Sequence, residues 1–197
     1  GRIKNLNKKD FNHTPDFSKY KYSFNNLAKK QEKLKKANEL LKKRFEGTND
    51  LSYMRVNVYE KNNLKMNIKY DGVIFLHDFV DAPHDYGKLI FNDFYEWTIQ
   101  SFDFILEHNL NIGVKYHPNQ TNESKKVIRS LVKLYPEVNW INPKINNREI
   151  FKSGIKFGVS VFGTILSELA FHNITPLAAG SNPYVSFNFV VNPRTKQ

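Results

Sequence analysis

Between Asp71 and Gly180 the apolar positions fall into short continuous runs separated by longer amphipathic stretches. The runs GVIFLH (72–77), NIGVKYH (111–117), VNWIN (138–142), GVSV (158–161) and ITPLAAG (174–180) read as strands. A run without polar alternation, as in the first of them, is expected of a central parallel strand covered on both faces. The stretches between read as helices. Over 88–108, Phe91, Phe94, Trp97 or Thr98, Phe102 and Ile105 recur three to four positions apart, so these aromatics are core rather than a stacking platform. Over 122–134, Val127 pairs with Leu131 and Ile128 with Val132, a shorter helix lies near Arg148–Lys152, and another is opened by Thr164. Five strands alternating with helices predict an α/β fold, a doubly wound parallel five-stranded sheet of order 3-2-1-4-5, because right-handed crossovers place helices on both faces.

The first 70 residues follow a different pattern. Residues 1–24 carry Phe11, Phe17, Tyr20, Tyr22 and Phe24 without periodicity and read as an arm that docks by its rings. Residues 25–45 form the plainest helix, with Leu27, Leu34, Ala37, Leu41 and Phe45 on a narrow apolar stripe and lysines on the rest, and Gly47 is placed to end it as a C′ residue. Residues 51–70 read as a short helix and a connecting segment before Asp71. The division is therefore a basic helical arm or linker, 1–70, and a sheet domain, 71–197. The net charge of +11 belongs to the arm: residues 1–70 hold 18 Lys and Arg against 7 Asp and Glu, whereas 71–197 hold 12 of each. A balanced sheet domain offers no electrostatic excess for tracking a phosphate backbone, so no nucleic-acid partner is expected. The lysine face of the 25–45 helix is either a solvated surface or a contact for anionic membrane headgroups or a protein partner.

With no cysteine, a disulfide scaffold and a thiolate metal site are excluded, and a reducing cytoplasm is compatible. No apolar run approaches the ~20 residues of a membrane span and the polar N-terminus lacks a signal-peptide core, which gives a soluble cytoplasmic protein, peripheral at the inner membrane face if the basic helix docks there. A leading glycine and an abrupt end read as a piece of a longer protein.

In such a sheet, ligands sit outside the carboxyl ends of the strands, beside the point where the strand order reverses. That rule selects His77, Asp78, Asp81 and His84, then Lys115 and His117, then Asn142, then Gly163, Thr164, Ser167 and Glu168, then Gly180. The stretch GVSVFGTILSELAF (158–171) runs from a strand into a glycine turn and a helix N-terminus, which presents N–H groups and a positive dipole end to a phosphate. Glu168 lies one turn beyond Thr164, free to accept from sugar hydroxyls. The plain alternative is a βα junction capped by Thr164 with Glu168 solvated. His117 is made rigid by Pro118 and reads as a phosphate donor or a surface histidine. Lys115, on the same strand face, reads as a second cation or a partner of Asp81. The spacing HD-x-x-D-x-x-H over 77–84 is compatible with metal ligands, but a loop in which Asp78 and Asp81 accept backbone N–H groups accounts for it better, and no metal or cofactor is expected.

The segments LHDFVDAPHDYGKLIFNDFYEW, VKYHPN and VSVFGTILSELAFHNITPLAAG, in that order, resemble the C-terminal, nucleotide-sugar-binding half of capsule polysaccharide biosynthesis glycosyltransferases of the GT-B architecture. KRFEGTNDLSYM (43–54) is similar to the stretch leading into that half. The resemblance covers more than half the chain and implies a Rossmann-like donor domain, in which a nucleotide sugar, CMP-linked among the options, gives its sugar to a glycan acceptor. The His-Pro pair, shared in kind with bacterial sialyl and Kdo transferases, falls on His117 and Pro118 and implies contact with the donor phosphate. Gly163 and Thr164 would hold the same phosphate, Glu168 would bind ribose, and Ser167 is a weaker addition. A GT-B enzyme also needs an acceptor domain, which the 1–70 arm does not match, so the chain would be a donor-binding half, inactive alone. Two other classes remain open: a teichoic-acid-type phosphotransferase or sugar epimerase on a related fold, and a non-enzymatic module that docks through the basic helix.

Overall fold

A computed structural model of the chain describes residues 18–47, 59, 64–80, 89–193 and 195. Five parallel strands, β1 (Gly72–Leu76), β2 (Ile112–Tyr116), β3 (Asn139–Trp140), β4 (Phe157–Ser160) and β5 (Thr175–Ala178), form one sheet of order β3-β2-β1-β4-β5. Fold class and strand order are those the apolar runs predicted. β1 is central and every residue of it is buried. Its side chains divide by parity: Ile74 and Leu76 enter one core with Trp97, Phe102, Val114 and Leu131, while Val73 and Phe75 enter the other with Ile150, Leu169 and Ile174. This is why the run shows no polar alternation.

Helices α3 (Phe94–Glu107) and α4 (Asn122–Leu134) supply the first core; α5 (Asn147–Lys152) and α6 (Ile165–Phe171) supply the second. The aromatics of α3 are core, with Phe94, Trp97 and Phe102 almost fully buried. The helix begins at Phe94 rather than near 88. The Asp93 side chain accepts the Glu96 N–H at 2.7 Å and the Glu96 side chain accepts the Asn92 N–H at 2.6 Å, a reciprocal cap that fixes the start. The backbone just before it is drawn instead to the sheet edge, where Ile90 N–H donates to the Ala179 carbonyl. α4 has the bounds its i, i+4 pairs predicted, with Thr121 as its N-cap.

Among the described residues of the N-terminal region there are two helices. α1 (Ser18–Asn25) lies in the stretch read as an irregular arm, and Lys29, at φ 53°, breaks the chain before α2 (Lys30–Phe45). An aromatic ring does dock α1: Phe24 meets Phe187 edge-on at 5.9 Å, beside a closing 3-10 turn, Pro183–Ser186. α2 ends as predicted, with Gly47 at C′ and φ 74°, a conformation that favours glycine. Most lysines of α2 are exposed, but its last turn is not part of a detached arm. Phe45 is buried in the second core, 5.1 Å from the rings of Tyr59 and Phe171 and 4.7 Å from that of His172. Of the 51–70 stretch, residues 64–70 contain no helix, and the short helix expected further upstream lies outside the described residues apart from Tyr59. Among the described residues no helix is long and apolar enough to cross a membrane.

Candidate functional site

The carboxyl ends of β1, β2 and β4 open into a cleft of about 680 Å3. His117, Lys115, Gly163, Thr164 and Glu168 all line it, together with His77 and Asp78. Parallel strands in this order leave the ends of β2 and β4 on either side of β1, so the chain segments after them face one another across the sheet edge.

On the β2 side, the strand delivers His117 to the rim and Pro118 turns the chain. The Asn119 N–H donates to His117 Nδ1 at 3.1 Å. An Nδ1 that accepts leaves the ring proton on Nε2, so the imidazole is set as an Nε2–H donor. On the β4 side, Gly163 has φ 100°, where a Cβ is disfavoured, and the position is open: a side chain there would meet nothing within 4 Å. Ser160 Oγ lies 3.0 Å from both the Phe75 and Phe162 carbonyls and ties the approach to the turn onto β1. Thr164 occupies the N-cap position of α6, yet its side chain makes no capping bond. Its hydroxyl stays at the exposed edge of the cleft rather than being used by the helix.

Glu168 is not the solvated carboxylate of the plain alternative. It is 2% exposed. Arg44, from the end of α2, reaches its Oε1 with Nε at 3.1 Å and Nη2 at 3.0 Å, and the buried Tyr59 hydroxyl donates to Oε2 at 2.5 Å. Both oxygens are thus already satisfied by protein, and the carboxylate is not waiting for sugar hydroxyls. Burial, then the neighbouring carboxylate, pushes the Tyr59 hydroxyl far up, so it remains a neutral donor.

Lys115 is 3% exposed and spends two of its protons on the Ile145 carbonyl at 2.6 Å and Asn147 Oδ1 at 2.5 Å. Its partners among the described residues come from the β3–α5 loop and α5; Asp81, the partner the sequence offered, lies outside the described residues with His84. Burial pushes the Lys115 amine down to about 7, against the opposing pull of Glu168. Asn142 and Ser167 do not line the cleft. Asn142 Oδ1 accepts the Lys144 N–H at 3.0 Å, and the Ser167 hydroxyl folds back onto the Thr164 carbonyl at 2.7 Å. Gly180 sits under the Phe162 ring, where a Cβ would come within 2.6 Å.

The first half of the His77–His84 spacing is structural. His77 packs against Phe94 and Phe162, and Asp78 accepts from the Val80 N–H at 3.1 Å, the Thr121 N–H at 2.8 Å, the Thr121 hydroxyl at 3.1 Å and the Ser124 hydroxyl. Asp78 therefore pins the start of α4 to the end of β1, as a loop carboxylate holding the cleft edge should. Among the described residues no three His, Cys, Asp or Glu side chains gather as a metal site. Burial alone would raise the Asp78 pKa, but the bonds from Ser124, Thr121 and Val80 outweigh it and hold the carboxyl below its usual range. A depressed folded-state pKa contributes stability above the unfolded value of about 3.9 and loses it as pH falls through the folded value. Asp78→Asn is thus expected to be less stable than wild type at pH 6, by a margin that shrinks as pH falls below about 4. Parallel melting curves down to pH 2.5 would contradict the assignment.

Arg44, Tyr59 and Asn147 are site residues that sequence reasoning missed. Arg44 is the one arginine in a lysine-rich helix, and arginine is preferred where a buried carboxylate is engaged through two nitrogens, which was the available signal. Compared with protein-family models, curated proteins and solved structures, the chain gives no match.

Proposed function

We propose that the cleft binds the phosphate of a nucleotide sugar and that the chain is the donor-binding domain of a glycosyltransferase that builds a capsule or other surface glycan. The observation that carries the reading is the convergence of a fixed Nε2–H donor at His117 with the open Gly163–Thr164 turn across one cleft at the switch point of the sheet. An uncommitted hydroxyl on Thr164 and the opening N–H groups of α6 suit phosphate oxygens. In transfer, the bond between the anomeric carbon and the donor phosphate breaks as an acceptor hydroxyl attacks. Negative charge then grows on the leaving phosphate, where the Nε2–H and Thr164 hydroxyl stabilise it most. The proton of the acceptor goes to a base outside the residues described. Glu168 enters this reading as part of the cleft wall and not as the ribose ligand.

A calorimetric panel of CMP, CDP, UDP and GDP tests it. One nucleotide is expected to bind, and His117→Ala to cost about 1.5–3 kcal/mol of that binding, the range for a hydrogen bond to a charged group, with the fold retained because the half-buried ring sits at the rim and not in the core, although the Asn119 N–H loses its acceptor. Absence of binding by every nucleotide, or binding indifferent to His117, would remove the proposal.

A further inference from the structure

Of the described residues, two cations, Arg44 and Lys115, and two carboxylates, Asp78 and Glu168, line the cleft, but they are not paired one to one, since Asp78 accepts from backbone N–H and hydroxyl groups. Glu168 carries one negative charge, and Arg44 meets it with two nitrogens while Tyr59 meets its other oxygen. Among the described residues Lys115 is then left with neutral acceptors only, the Ile145 carbonyl and the Asn147 amide, although it is buried. Asn147 also hydrogen-bonds Tyr59, so the chain of contacts runs from Lys115 through Asn147 and Tyr59 to Glu168 and Arg44. A buried amine with no directly bonded anion among the described residues is costly to keep charged, and it lines a cleft open to ligands.

We infer that Lys115 is the cation that receives an anionic ligand group in this cleft, and that Arg44, delivered by α2, acts as a positioning residue by occupying Glu168 so that the charge of Lys115 is left for the ligand. The inference deepens the donor-site reading and rests on it for the place of binding, not for the sugar or the nucleotide. It makes the N-terminal helix part of the site: lifting the end of α2 would free Glu168 to capture Lys115. Among the described residues, the titratable and charged groups around Lys115 are Glu168 from α6, Arg44 from α2 and Tyr59, with His117 beyond the end of its own strand and His77 and Asp78 after β1. Because burial favours the neutral amine, an anion has to draw a proton onto it, and binding should weaken as pH rises from 7 to 9.

Inorganic pyrophosphate, titrated calorimetrically into the full chain, is the probe. Lys115→Met is expected to weaken binding roughly 10- to 150-fold, the loss of one hydrogen bond to a charged group. Arg44→Met is expected to weaken it as well, and adding Glu168→Gln to that variant to restore it, since the competitor for Lys115 is then gone. A merely structural Arg44 predicts no rescue. Lys115→Arg, which does not titrate, should hold its affinity between pH 7 and 9 while wild type declines. That comparison decides the matter should Lys115→Met or Arg44→Met fail to fold. Undiminished affinity in Lys115→Met, no rescue in the double variant, parallel pH profiles for wild type and Lys115→Arg, or no pyrophosphate binding by wild type would each overturn the inference. The two proposals fail separately. Nucleotide binding that survives Lys115→Met leaves the donor site and removes this role, whereas Lys115-dependent pyrophosphate binding without any nucleotide binding does the reverse.

Discussion

Replacing Glu168 with alanine is expected to destabilise the fold by about 3–5 kcal/mol, the range for removing one partner of a buried ion pair. The size follows from what is left behind. Arg44, with 11% of its side chain exposed, would keep its guanidinium away from water without the Glu168 carboxylate, and the buried Tyr59 hydroxyl would lose the acceptor Glu168 provides. Arg44 and Phe45 are neighbours, so the loss would also loosen the docking of α2 onto the second core. At about 2–4 °C per kcal/mol for a chain of this length, the melting temperature should fall by roughly 6–20 °C. Replacing both partners with residues of similar volume, Arg44→Met with Glu168→Gln, should cost much less, because no unpaired charge remains. Chemical denaturation of the three proteins checks this. A cost below about 1 kcal/mol for Glu168→Ala would mean that the pair behaves as an exposed one.

The second large effect is expected on the opposite face of the sheet. Trp97 is 2% exposed in the core that includes Phe94, Phe102, Val114 and Leu131. Its removal as Trp97→Ala should cost about 3–5 kcal/mol, since a rigid sheet and two capped helices leave little freedom to close the cavity. The cleft lies at the strand ends, and Trp97 is not among its lining residues. Whatever fraction stays folded should therefore bind nucleotide with wild-type affinity. A stable Trp97→Ala protein that has lost nucleotide binding would contradict the separation of core from site.

How the two cores became visible shows what kind of information the sequence holds. Ile74 and Leu76 face one core and Val73 and Phe75 the other, so β1 announces by its unbroken apolar run that both of its faces are covered. The same local logic placed α4 through its i, i+4 pairs and the end of α2 through Gly47. It also selected His117, Gly163 and Thr164, because the position of a residue at a strand's carboxyl end follows from the alternation alone and the fold then brings those ends together. Where local signals competed, the reading slipped. The aromatic spacing upstream of Phe94 looked helical, yet the Asp93 and Glu96 caps and a bond to the sheet edge set the boundary later. α1 has no sustained apolar periodicity to announce it, and its Phe24 is placed by Phe187 at the far end of the chain.

What the sequence determined by itself was thus the order and face of each strand, the helices between them and the sheet edge at which chemistry has to sit, since these depend on spacing within a few turns of the backbone. What only the tertiary structure decided was the electrostatic state of the groups at that edge. Glu168 looks the same on paper whether it is solvated or buried; its partners Arg44 and Tyr59 lie 124 and 109 residues away along the chain. Lys115 likewise became a buried amine through the Ile145 carbonyl and Asn147, 30 and 32 residues on. Burial and charge pairing are properties of the whole packed chain, and no periodicity within a helix or a strand encodes them.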